Sequence, residues 1–249
     1  MEPLDAARNA DALVFVGDID ELSLTPDDTH HLVDVLRLRS SSIVVAADGA
    51  GAYRICKLKD SETKPHRRRA SRVEDARLVP LGPVLRAPLP GREISIGLAL
   101  GKGDRPEWAV QKLTELGVDR IVFLETARGV VRPDDRAIGH RKERLARVAR
   151  EAAMQCRRLV LPAISGPVAL ETALGSAPGT AALAHPGSPP VDESVSSVFV
   201  GPEGGFTPDE LALAPRLVGL PGHVLRTETA AVASAVLLVA AVHNGTRAL

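Results

Sequence analysis

Gly201-Pro202-Glu203-Gly204-Gly205-Phe206 follows the valine-rich run Val195 to Val200 and precedes Thr207-Pro208-Asp209-Glu210. The run has the length and alternation of a short buried strand whose carboxyl end delivers the loop. Thr207 as N-cap, Pro208 at the first helical position and Glu210 three residues after the cap form a capping box, so a helix starts at about Thr207. Three glycines in five residues permit positive φ and let a ligand approach the main chain without meeting a Cβ. Leu225-Arg226-Thr227-Glu228-Thr229-Ala230, 24 residues on, also follows an apolar run and opens the uncharged segment Ala230 to Val242. Two strand-to-helix turns of this kind converge on one pocket built largely from backbone.

The chemistry of that pocket is bounded by what the loop lacks. It has neither the Lys-Ser/Thr ending of a P-loop nor the G-x-G-x-x-G spacing of a dinucleotide fingerprint, and Gly101-Lys102-Gly103-Asp104 fails the same tests. The carboxylate of Glu203 inside the loop opposes a polyphosphate, because like charges in close contact cost Coulomb energy without an intervening metal. A cationic or neutral ligand fits better. His30, His31 and His185 have no partners at metal-ligand spacing, so no metal is assigned.

Working outward, apolar strands alternate with amphipathic helices through the second part of the chain. The strands are Ile94 to Leu100, Arg120 to Leu124, Ala181 to Ala184, Val195 to Val200 and His223 to Arg226. Helices are expected over Pro106 to Leu116 and about Asp135 to Arg158. The pattern predicts an α/β fold with a mostly parallel sheet covered on both faces, taking its ligand outside the carboxyl ends of the strands. Before it, Ala12 to Val16, Ser42 to Ala47 and Tyr53 to Leu58 read as strands, with Asp48-Gly49-Ala50-Gly51 as a hairpin turn. One helix, about Thr25 to Leu38, starts with Thr25 as cap and Pro26 at its first position. Four prolines between Val79 and Gly91 interrupt both periodicities and mark a linker. The expected division is 1–78, 79–91 and 92–249.

Net charge is zero from 31 basic and 31 acidic residues, yet the basic ones are concentrated. Arg54 to Arg72 holds eight Lys or Arg against two acids, and His140 to Arg158 holds seven against two. Two such runs favour a polyanion partner, although either alone can be a solvated face. Leu145, Val148, Ala149, Ala152 and Cys156 share one apolar helix face that excludes Arg147, Arg150, Arg157 and Arg158. Trp108, the only tryptophan, reads as core or interface packing. Two cysteines without metal or disulfide spacing and no secretory leader point to a cytoplasmic protein. The longest uncharged apolar run falls short of the roughly 20 residues that span a bilayer and should form a buried helix.

The two loops resemble the signature loops of the SPOUT-superfamily 16S ribosomal RNA (uridine-N3)-methyltransferases, the RsmE family. The resemblance extends, in order, to His31-Leu-Val-Asp-Val-Leu-Arg-Leu-Arg39, Lys102-Gly-Asp-Arg-Pro-Glu-Trp108, Gln111-Lys-Leu-Thr-Glu-Leu-Gly-Val118, and Arg150-Glu-Ala-Ala-Met-Gln155 with Arg158. It covers almost the whole chain. Ser40-Ser41-Ser42, where a Pro-Gly-Asp turn is more usual, and Met154 and Cys156 around Gln155 depart from the family pattern; the two loops do not.

The resemblance implies a C-terminal knotted domain over 92–249, an α/β trefoil knot with a parallel sheet. It also implies an N-terminal PUA-like RNA-binding β-barrel over 1–78, a homodimer, and methylation of N3 of a uridine in the small subunit's 16S RNA from S-adenosyl-L-methionine. It places Leu183, His185, Val200, Gly201, Pro202, Glu203, Gly204, Gly205, Leu220, Leu225, Arg226, Thr229 and Ala230 around the cofactor, with Leu183 and Leu220 sandwiching the adenine. Arg37, Arg39, Arg67, Arg68, Arg69, Lys102, Arg105, Arg150, Gln155 and Arg158 become RNA contacts. Arg226 and Glu228 are the catalytic candidates: Glu228 as acceptor of the N3 proton, Arg226 as stabiliser of a uracil anion. The same pair, or Glu203 with Arg226, can instead merely orient the loop. Another RNA base, a ribose 2′-hydroxyl, or an inactive RNA-binding module are the alternatives for function.

Overall fold

The structure, a computed structural model, describes residues 7–59, 76–88, 91–129 and 135–246. Arg67, Arg68 and Arg69 therefore lie outside the described residues. The chain forms two compact units, residues 1–89 with 153–161 and residues 90–152 with 162–249.

The first unit holds five strands: β1 (Ala12–Phe15), β2 (Ile43–Ala47), β3 (Ala52–Lys59), β4 (Arg77–Pro80) and β5 (Leu85–Arg86). They pair in the order β1-β2-β3-β4, with β5 also on β3; β1 and β2 are parallel and the rest antiparallel. The expected hairpin joins β2 to β3, where the Asp48 carboxylate accepts from the backbone N–H of Ala50 and Ala52. The proline-rich stretch is not wholly a linker, since Leu85 and Arg86, which keep their N–H groups, pair with β3. Helix α1 (Pro26–His30) begins with a capping box between Thr25 and Asp28. It then widens into a π turn over His31–Val35, in which the Leu36 N–H reaches back five residues to the His31 carbonyl.

Both faces of this sheet are buried, which explains the continuous apolar reading of β2. Val14, Val44, Ala46, Cys56 and Leu58 pack with Leu22 and Leu32 on one face. Leu13, Phe15, Val45, Ala47 and Tyr53 pack on the other with Ala153 and Leu159. Arg157 (φ +63°) ends the helix that supplies Ala153; its guanidinium donates to the Asp11 carbonyl at 2.7 Å, and the Arg158 N–H bonds back to Ala153.

The second unit is a six-stranded, all-parallel sheet built from β6 (Ser95–Ala99), β7 (Arg120–Glu125), β8 (Ala163–Ala169), β9 (Thr180–Ala184), β10 (Val195–Val200) and β11 (Leu217–Val218). Its order is β11-β9-β10-β6-β7-β8. Helices α2 (Arg105–Glu115), α3 (Asp135–Cys156) and α6 (Thr227–Thr246) cover one face through Leu113, Leu145, Ala149, Ala231 and Leu238. The other face carries α4 (Leu170–Gly175) and α5 (Pro208–Ala212), with Leu170, Phe199, Phe206 and Leu211 in its core. Parallel strands covered on both faces bury the side chains on each, and Val195 to Val200 is buried throughout, Ser196 and Ser197 included.

The expected strand at His223–Arg226 does not form. Pro221 lacks an N–H, Gly222 sits at φ +96° and Val224 is 87% exposed, so the segment runs as a loop and the strand falls earlier, at β11. Strand β8 and helix α4 were not expected; Gly166-Pro167 within β8 conceals its pattern from a reading by strand propensity. Among the described residues no helix is long and apolar enough to cross a membrane.

Candidate active site

The expected capping box forms at the glycine loop. The Glu210 N–H donates to the Thr207 hydroxyl at 3.2 Å, and the Thr207 N–H donates to the Glu210 carboxylate at 2.8 Å. This fixes α5, so the chain must turn between Val200 and Thr207, and Gly205 at φ +68° supplies the turn. Two further bonds hold the loop: the Thr227 hydroxyl donates to the Gly201 carbonyl at 2.9 Å, and Arg128 donates to the Gly204 carbonyl at 2.7 Å. The first ties the glycine loop directly to the start of α6, so the two loops meet.

Between them lies a cleft of about 450 Å³. His185, Val200, Gly201, Pro202, Glu203, Gly205, Leu220, Leu225 and Ala230 line it, together with Pro186, Gly187 and the loop Gly222–Val224. Its outer wall is a pair of facing segments stitched together at several points. The His185 N–H donates to Val218, the Gly219 N–H donates to Pro189, and Arg216 grips Asp192 at 2.6 Å and Ser194 at 2.5 Å. The Arg216 guanidinium and the hydrogen bonds from Ser194 lower the Asp192 carboxyl to about 2.

Four expected cofactor residues lie elsewhere. Leu183 is fully buried on the face carrying α4 and α5, because alternation along β9 turns the side chain of Ala184, not that of Leu183, to the cleft. It cannot sandwich a base there. Gly204 faces Arg128 instead. Arg226 and Thr229 line a neighbouring hollow of about 290 Å³ with Asp104, Arg105, Trp108 and Glu228. Trp108 is 43% exposed at this hollow, so it is not a core residue.

The ion pair expected of Arg226 is made by Arg105. Its guanidinium stands 2.7 Å from Glu203 and 3.8 Å from Glu228, joining the start of α2 to both loops. The Glu228 side chain is 14% exposed and that of Glu203 is 53% exposed. Arg226 itself is exposed. Among the other expected RNA contacts, Lys102 and Gln155 are exposed, while Arg150 and Arg158 are partly buried. Arg37 and Arg39 are exposed in the loop after the π turn, with Arg37 at φ +55°.

Sequence reasoning missed Thr227, Arg128, Asp192 and Arg216. Thr227 lies inside the Leu225–Ala230 motif between Arg226 and Glu228, and its signal there is a hydroxyl at the helix start. Asp192 and Arg216 lie in loops with no periodicity to relate them.

The RNA methyltransferase domain family model matches residues 87–239. The chain is 29% identical to "Ribosomal RNA small subunit methyltransferase E" of Bacillus subtilis, over 84% of this chain and 85% of that one. It is also 29% identical to the protein of the same name from Mycobacterium tuberculosis, over 82% and 80%. Among solved structures, an rRNA-methyltransferase candidate from Porphyromonas gingivalis superposes with a TM-score of 0.77 at 25% identity, covering 94% of this chain and 99% of that one. A Legionella pneumophila protein solved in complex with the cofactor SAM superposes with a TM-score of 0.71 at 27% identity, covering 88% and 90%. With the parallel sheet, the glycine loop and the cleft at its carboxyl edge in agreement, the chain belongs to the RNA methyltransferase domain family.

Proposed function

We propose that this protein transfers a methyl group from S-adenosyl-L-methionine to N3 of a uridine in the 16S RNA of the small ribosomal subunit. The observation that carries the reading is the backbone-lined cleft between the glycine loop and Leu220–Ala230, with the Glu203 carboxylate on its rim. Its size is that of a site for one small molecule. An acid at its edge suits a sulfonium cation and opposes a phosphate ester. The match to methyltransferases over most of the chain supports the same reading.

When bound, S-adenosylmethionine supplies an electrophilic methyl group on sulfur. A bond from N3 to that carbon forms as the carbon–sulfur bond breaks, its electron pair staying on sulfur, and the N3 proton passes to a base. Glu228, little exposed and held by Arg105, is positioned as that base; the exposed Arg226 offers positive charge to the developing anion of the ring. The backbone of Gly201 and Gly205 and the side chains of Leu220 and Leu225 hold the cofactor, and close alignment of the reacting atoms can contribute about 7–11 kcal/mol to lowering the barrier.

In this reading the second unit is a trefoil-knotted SPOUT domain. Support comes from the segment Leu217–Gly219 running against residues 183–190 shortly before α6 begins. The first unit, a mixed sheet buried on both faces, serves as a PUA-like RNA-binding domain, joined through the proline-rich 79–91 stretch. The working form is a cytoplasmic homodimer, and Arg37, Arg39, Lys102, Arg105, Arg150, Gln155 and Arg158 contact the RNA.

Labelled S-adenosylmethionine incubated with small subunits lacking their base methylations, followed by nuclease digestion and mass spectrometry, tests the reading. N3-methyluridine at a single position is expected. Methyl transfer to a ribose hydroxyl, to another base, or to nothing refutes it.

A further inference from the structure

The ends of β9, β10 and β6 stand side by side at the carboxyl edge of the parallel sheet. The cleft assigned above to the cofactor is bounded by the segments leaving β9 and β10. A second hollow, about 470 Å³, lies one strand further along, where Gly101–Arg105, leaving β6, faces Pro202, Glu203 and Thr227.

This second position is the topological switch point of the sheet. The chain leaves β6 through α2, on one face, toward β7. It leaves β10 through α5, on the opposite face, toward β11 at the far edge. Neighbouring strands that send their connections opposite ways open a crevice between them, and open α/β sheets take ligands there. The hollow shares Pro202 and Glu203 with the cofactor cleft, so a group seated in it abuts that cleft.

The polar lining narrows the kind of ligand. Lys102 and Arg105 donate, Asp104 and Glu203 accept, and the two cations and two carboxylates balance. A polyanion gains little from such a lining. A neutral ring that offers acceptors and a donor in a row can satisfy both kinds of group, and uracil presents O2, N3–H and O4 in that order. Arg105 also lines the Arg226 hollow and reaches Glu228, so its guanidinium stands where the two hollows meet.

We propose that the hollow at the switch point receives the target base, a pyrimidine turned out of its RNA stack. Lys102 and Arg105 donate to its carbonyl oxygens, and the Glu203 or Asp104 carboxylate faces its N3–H. Enzymes that modify a base remove it from the stack in this way. The assignment rests on the methyltransferase reading above but revises its proton acceptor: with the base seated beside Glu203 and not in the Arg226 hollow, the N3 proton passes to Glu203 or Asp104, and Glu228 acts by holding Arg105.

Filling the hollow tests it. A Cβ at Gly101 meets only the side-chain carbons of Arg105, at 3.6 and 3.9 Å, so the backbone accepts Gly101→Leu while the longer side chain occupies the hollow. Calorimetry should find cofactor affinity within about twofold of wild type, and methyl transfer to unmethylated subunits should show KM raised at least tenfold or activity lost. Wild-type kcat and KM in Gly101→Leu overturn the proposal.

A second measurement uses the unaltered protein, in case the variant folds poorly. Subunits reconstituted with 4-thiouridine-containing 16S RNA are photocrosslinked to the protein loaded with S-adenosylhomocysteine, and the attached peptides are identified. Attachment within 101–105 or 202–203 is expected; attachment confined to 226–229 or to other segments overturns the proposal alone. Failure of the wild-type protein to bind the cofactor and to transfer methyl sinks the underlying reading, and this proposal with it.

Discussion

Replacing Gly219 by alanine puts a methyl carbon 2.2 Å from the carbonyl oxygen of Ser188, where contact normally begins at about 3.3 Å. The two backbones must separate by roughly 1 Å, and neither is free to move. The Gly219 N–H bonds to Pro189 at 2.6 Å, Pro190 and Gly219 pair as a bridge, and Arg216 holds Asp192 nearby. Overpacking of this kind costs about 1–3 kcal/mol and a lost hydrogen bond about 1 more, so the stability of the second unit should fall by about 2–4 kcal/mol. For a protein of this size that is a fall in Tm of roughly 4–16 °C.

The same displacement moves Leu220 and the segment following His185, which form the outer wall of the cofactor cleft. If about 1.4 kcal/mol of the strain is felt there, cofactor affinity drops roughly tenfold. Thermal unfolding with and without S-adenosylhomocysteine, and calorimetry of its binding, measure both effects. Gly91→Ala, whose Cβ meets nothing within 4 Å, is the control and should leave both unchanged. A Gly219→Ala protein with wild-type Tm and affinity would refute the close apposition of these segments.

Thr227→Val removes the hydroxyl that bonds the Gly201 carbonyl; a loss of about 1 kcal/mol in stability is expected, with weaker cofactor binding by calorimetry and no change in the far-ultraviolet spectrum. Asp192 ionises at about 2 in the folded state, below its ordinary value of 3.8, so its contribution is present above pH 4 and fades as pH falls toward 2. Denaturant titrations of wild type and Asp192→Asn should therefore differ at pH 6 and converge only as pH falls to about 2. Burial pushes the Cys56 thiol up to about 11, so it should resist thiol reagents in the native protein and react on unfolding. Because the unfolded chain ionises there first, Cys56 also withdraws stability between pH 9 and 11, an effect Cys56→Ser should remove.

Local chemistry made much of this legible in advance. The Thr207-Pro208-Asp209-Glu210 box, the Asp48–Gly51 turn and the buried strand Val195–Val200 each depend on residues close in sequence, and each forms as expected. Side-chain direction was harder. Leu183 and Ala184 differ by one position, yet alternation along β9 sends one into the core and the other to the cleft, and only the strand's register against β10 and β11 settles which. Ion pairing was harder again, since Arg105 lies 98 residues before Glu203 and reaches it only because β6 and β10 are neighbours. Arg226, much nearer to Glu203 in sequence than Arg105, is not its partner for that reason.

Helix α3 begins in the second unit and ends in the first. As the chain is synthesised, residues 1–89 emerge without Ala153 and Leu159, and β2–β3 without the bonds from 160–161 to Gly49. At roughly 5–20 residues per second, the first unit waits several seconds for about seventy more residues before its second face can close. An apolar face is exposed to the cell's chaperones for that interval. A fragment ending at residue 89 would remain in that state permanently, so an excised N-terminal unit should be obtained in well-behaved form only when residues 153–161 are supplied in trans or by fusion.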